Sequence, residues 1–195
     1  MAFKRKIDMQ GDVFNGISCV FAVKDGIATS GNTATLKDTD MIEFPVSDES
    51  GFSFDTGAPS IDHFKIKGLQ ADWVSKFKPG DGEVKLEIPC NNTEILDFCG
   101  FKGQKTTLTL PSGLTVGGKG KVSGQSYSST QKAIYLGVLV LNDSEDKILY
   151  IKKVKFMAQL MFDGSNKPLC VVLTGSVAAG ADADAFGIFE PDATA

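Results

Sequence analysis

The chain has 195 residues, a formal net charge of −4 and 42% hydrophobic residues, enough for one domain with a sizeable core. An acidic balance argues against a groove that grips nucleic acid, and no apolar run reaches the roughly 18 residues that a membrane-spanning helix needs. Fourteen Phe against three Tyr and one Trp point to packing and interface use rather than polar recognition.

The pattern predicts strands at 2–9 and 16–24, separated by the turn residues Gly11-Asp12 and Asn15-Gly16 and ended at Asp25-Gly26. From 28 to 60 the pattern dissolves into Gly, Pro, Ser, Thr and Asp, yet Met41, Ile42, Phe44, Phe52 and Phe54 lie within it. This segment hides two strands or forms a long ordered arm; loops of that length are uncommon in compact domains and often functional. Residues 61–67 are expected as a strand, with Trp73 in a mixed segment that ends at the turn Pro79-Gly80-Asp81-Gly82. At 83–88 the alternation is clean: Val84, Leu86 and Ile88 face inward, Glu83, Lys85 and Glu87 outward. A register slip of one residue would bury the three charges, which fixes the face.

One helix is predicted at 92–100, capped by Asn92 or Thr93, acidic early at Glu94 and Asp97, and ended by Gly100. Strands resume at 105–110, 114–122 and 133–142, the last nearly all apolar and therefore central. The turn 142–146 leads into a hairpin. Its first strand, from 148, puts Ile151, Val154, Phe156 and Leu160 among Lys152, Lys153, Lys155 and Gln159. The cluster Asp163-Gly164-Ser165-Asn166 makes the turn, and Leu169 to Thr174 returns. The Ala/Asp-rich tail from 178 is read as a short helix or an extended arm, docked through Phe186, Ile188 and Phe189. The whole is expected as a single mainly β domain, an antiparallel sandwich or barrel with one short α-helix and long loops or arms.

No catalytic or ligand motif survives inspection. His63 is the sole histidine, so any Ser-His-Asp or Cys-His relay would need it; its place between Asp62 and Phe64 in a strand fits an ordinary strand position. Cys19, Cys90, Cys99 and Cys170 have no zinc-site spacing. The run Gly113-Leu114-Thr115-Val116-Gly117-Gly118-Lys119-Gly120 nearly matches a phosphate-binding loop. It lacks the Ser or Thr after the lysine and a following helix, which makes it a hairpin or loop. Asp143-Ser144-Glu145-Asp146 lacks the glycine and distal glutamate of a calcium loop. The expectation is no enzyme, no metal and no cofactor. The basic start Lys4-Arg5-Lys6 is followed by no apolar region, so a non-secreted chain, kept reduced in a cytoplasm, is expected.

Residues Ala2 to Asp8, then Gly11 and Ile17-Ser18-Cys19, resemble the opening of tube proteins of type VI secretion systems. The closing segments Lys153 to Leu160 and Pro168 to Gly175 resemble the last hairpin of phage major tail (tail tube) proteins, and the helix at 92–100 is similar to that fold's short helix. The resemblance implies a structural subunit whose hexameric rings stack into a tube, in a virion assembled in the host cytoplasm. Its partners would be further copies, other tail proteins, and DNA sliding through an acidic lumen that repels it. Candidate inter-subunit contacts are Phe44, Phe52, Phe54, Phe186 and Phe189. Two other readings compete: a capsid decoration or other virion β-sandwich protein, and a ligand- or carbohydrate-binding sandwich module. Four Trp and Tyr residues in total weigh against the latter.

Overall fold

The computed structural model describes residues 14–30, 33–46, 51–64, 67, 74–78, 80–89, 92–128, 132–162, 164, 168–177 and 185–191. The expected strand at 2–9, Trp73 and Cys90 lie outside them. The chain is mainly antiparallel β, and its large sheet curls into a half-barrel.

Its strands in chain order are β1 (Cys19–Lys24), β2 (Thr29–Ser30), β3 (Thr33–Ala34), β4 (Met41–Phe44), β5 (Phe52–Asp55), β6 (Ser60–Phe64) and β7 (Val74–Lys78). After them come β8 (Glu83–Pro89), β9 (Gly103–Thr109), β10 (Lys121–Tyr127), β11 (Ala133–Leu141), β12 (Ile148–Met161), β13 (Cys170–Val177) and β14 (Phe186–Phe189). The helix α1 (Thr93–Phe98) stands between β8 and β9. The large sheet runs β4-β1-β11-β12-β13-β8-β5, with β14 also paired to β12, while β2–β3, β6–β7 and β9–β10 are separate two-stranded hairpins.

Period-two patterning builds the inner face. Val84, Leu86 and Ile88 are fully buried, as the alternation at 83–88 demands, and face Val171 and Leu173 of β13. Val20 and Ala22, then Leu136, Val138 and Val140, extend the same core across β1 and β11. The short helix closes it with Ile95, Leu96 and Cys99. Asn92 caps that helix through Oδ1, which accepts from the Glu94 N–H at 2.9 Å. Gly100 ends it in the left-handed region at φ 87°.

The longest strand, β12, carries an irregularity that its sequence conceals. Val154 faces Leu136 but Ile151 faces Val138, so β12 spends one more residue than β11 across the same step. This is a β-bulge at Lys152 and Lys153, opposite Gly137. The extra residue resets the parity, so that Ile151 and Val154, three apart, both point into the core. The bulged backbone stays paired: the Lys152 carbonyl accepts from the Ile27 N–H at 2.9 Å, and the Lys152 N–H donates to the Ala185 carbonyl at 2.9 Å. Glycine at 137 is required because a Cβ there would meet Ile27 Cγ1 at 2.5 Å. Ile27, Val23 and Leu139 form a second, smaller cluster on the outer face, joined by Phe21, Met41 and Tyr150.

Several expectations change. The segment 28–60, read as two hidden strands or a long ordered arm, contributes two strands, β4 and β5, to the large sheet. Residues 114–122 are mostly a hairpin loop, and the strand begins only at Lys121. Val74–Lys78, read as part of a mixed segment, is a strand paired with β6. Leu160 shares the inward parity of Phe156 and Ala158 but lies past the end of the core and is 40% exposed. The turn at 142–146 is built around a buried side chain. Asn142 is buried there, its Oδ1 accepting from the Asp146 and Lys147 N–H groups while its Nδ2 donates to Asp146 Oδ1 at 2.7 Å.

Candidate assembly surface

The two end strands of the large sheet, β4 and β5, both border one cleft of about 690 Å³. Curling brings these ends toward one another, and among the described residues the sheet is not closed: each end strand pairs on one side only. An edge of this kind offers unpaired backbone groups to another chain. Phe14, Ile17, Phe52 and Phe54 supply apolar walls, while Glu43 and Asp143 are the charged residues of the lining, both acidic.

The candidate phenylalanines separate into three groups. Phe44 is 1% exposed and packs edge-on against Phe98 at 6.0 Å, so its ring is buried in the subunit's own core, although the residue also borders the cleft. This burial argues against Phe44 as an inter-subunit contact. Phe52 and Phe54 are half-buried on the core and line the cleft. Phe186 meets Phe54 edge-on at 5.2 Å, which brings β14 to the same region, and remains 48% exposed. Phe189 packs against Tyr150 at 5.5 Å and is 57% exposed. Within the tail, β14 therefore docks on β12 along Ile148 to Ile151, and Lys147 Nζ reaches Glu190 Oε1 at 2.7 Å just beyond it.

Cys19 lies in the cleft. Partial burial pushes its thiol above the usual range, and the carboxylates of Glu43 and Glu145 push it the same way. Glu145 is held beside it by the Ser18 hydroxyl, which donates to Oε1 at 3.0 Å. The mouth of the cleft is thus an anionic rim over an apolar wall.

Two hairpins leave the sheet. In β6–β7, Phe77 is 71% exposed and Lys78 pairs with Asp62 at 2.5 Å. The β9–β10 hairpin is longer, and its strands pack chiefly on each other. Phe101 and Tyr127 stack edge-on at its base, 6.3 Å apart. Residues 111–121 are all exposed, and Leu108, Leu114 and Val116 show more than half their surface. Gly117 and Gly118 have φ of 56° and 73° between the bridged Val116 and Lys119. Two successive positive φ values mark the primed turn that matches strand twist. The near-match to a phosphate-binding loop is therefore a tight hairpin turn followed by strand β10, with no helix behind it.

Among the described residues no three His, Cys, Asp or Glu side chains cluster as a metal site, Cys19, Cys99 and Cys170 form no disulfide with one another, and no helix is long and apolar enough to cross a membrane. The chain matches no model of a known protein family and no curated protein. Sequence reasoning missed Glu43, Asp143 and the exposed tip at Leu114 and Val116. The signal for the tip was Leu and Val among Gly and Lys in a turn, where no other described residue covers them.

Proposed function

We propose that this protein is a non-enzymatic structural subunit that self-assembles into hexameric rings, stacked into a phage tail tube through which DNA passes. The observation that carries the reading is the half-barrel whose two end strands, among the described residues, pair on one side only, with half-buried apolar side chains in the cleft between them and exposed ones on the hairpin and on β14. Apolar surface of this kind marks interaction sites. The likeness of the first and last segments to tube proteins supplies the ring and the tube.

The test is sedimentation of the purified full chain over a wide concentration range, followed by electron microscopy. Rings or tubes of uniform diameter are expected. A chain that remains monomeric at all concentrations overturns the reading in favour of a binding module, and closed particles without rings would favour another virion component.

A further inference from the structure

Resting on that reading, we propose a specific contact: the tip of the β9–β10 hairpin of one copy seats in the cleft between β4 and β5 of the next. The first argument is chemical. The hairpin is two-faced, because pairing sets Leu108 opposite Val122 on one side and Thr107 opposite Ser123 on the other. Lys121 follows the polar side, and Leu114 and Val116 crown the tip. The cleft offers the complement: Phe and Ile walls beneath a rim of Glu43 and Asp143.

The second argument is charge. Between Asp97 and Asp143 the chain has five lysines and no acid, so the other residues together carry nine negative charges to reach the total of −4. The hairpin lies wholly inside this basic stretch, with Lys119 and Lys121 at its tip. A basic arm on an acidic body repels other arms and is drawn to other bodies, which steers one orientation of encounter. Arm and cleft are different surfaces, so their contact is head-to-tail, the kind that closes into rings or continues as filaments.

The test uses the full chain. A benzophenone amino acid at Val116 is photo-activated in assemblies of mixed 15N-labelled and unlabelled copies. Cross-links between copies are expected at 14–19, 43–46 and 51–54. Assemblies whose cross-links fall elsewhere, or only within one copy, overturn the contact and leave the tube reading standing. A parent that never assembles overturns both.

Charge exchange supplies an independent measurement. Lys119→Glu/Lys121→Glu and Glu43→Lys each alter exposed side chains. Each alone is expected to raise the concentration needed for assembly at least ~10-fold, and an equimolar mixture is expected to restore it, since each arm then meets a cleft of opposite sign. Variants that assemble separately as the parent does, or a mixture that fails to recover, overturn the contact.

Discussion

Replacing Phe44 by Ala separates a core ring from an interface ring. Phe44 is 1% exposed and held by Phe98 and the inner face of the sheet, so its removal empties a cavity of nearly the whole ring. Such a change costs about 3–5 kcal/mol, and at roughly 2–4 °C per kcal/mol for a chain of this size the melting temperature falls by about 6–20 °C. Phe52 lies at the cleft and is already half in water. Phe52→Ala forfeits about half of the 1.5–3 kcal/mol of full burial plus a small cavity term, about 1–2 kcal/mol, and lowers the melting temperature by about 2–8 °C. Calorimetry on both variants under conditions that keep the parent monomeric decides the matter. Equal losses, or a smaller loss for Phe44→Ala, would refute the division of these rings between core and cleft.

Phe52→Ser/Phe54→Ser is expected to keep the circular dichroism of the parent and lose assembly; a variant that polymerises as well as the parent counts against the cleft as an interface. Gly137→Val forces a branched side chain onto Ile27 beside the bulge and should cost about 1–3 kcal/mol or more in urea unfolding, whereas an unchanged midpoint would show that the bulge yields freely. Asn92→Ala removes the cap of α1, with an expected loss of about 1 kcal/mol by the same measurement. The Cys19 thiol is raised from its ordinary value of 9.0 mainly by burial, so it holds its proton more tightly folded than unfolded. Its contribution to stability is complete below the unfolded value and is lost as pH rises through the folded one. Alkylation of Cys19 followed by mass spectrometry should therefore reach half its maximal rate at a higher pH than for a free thiol, and a profile at or below the free-thiol value would contradict the local electrostatics.

What the sequence made legible was whatever rests on local periodicity. The alternation at 83–88, the capped helix after Asn92 and the apolar run of β11 are each set by neighbours a few residues away. Pairing across long distances was not legible. β4 and β5 are four-residue strands whose membership in the sheet depends on β1 and β8, and nothing local distinguishes them from ordered loop. The bulge defeated simple counting along β12, because its cause lies at Gly137 and Ile27 on other segments. Of the site, the aromatic residues were legible as a class. Their division between core and cleft was not, since it depends on how far the sheet curls.

The 14-residue β12 serves as a common rail for two shorter strands laid end to end, β13 along Val154 to Met161 and β14 along Ile148 to Ile151. The two are fastened independently. Peeling β14 away breaks four residues of pairing, the Phe186 contact with Phe54 of β5 and the Lys147–Glu190 link, while the pairing of β13 with β12 and β8 stays in place. Such a short terminal strand opens at a lower free energy than the sheet as a whole. The vacated stretch of rail would expose Ile148 to Ile151, a β-rich edge already shaped to receive four residues of extended chain, and an identical strand from a neighbouring copy fits it as well as the original does.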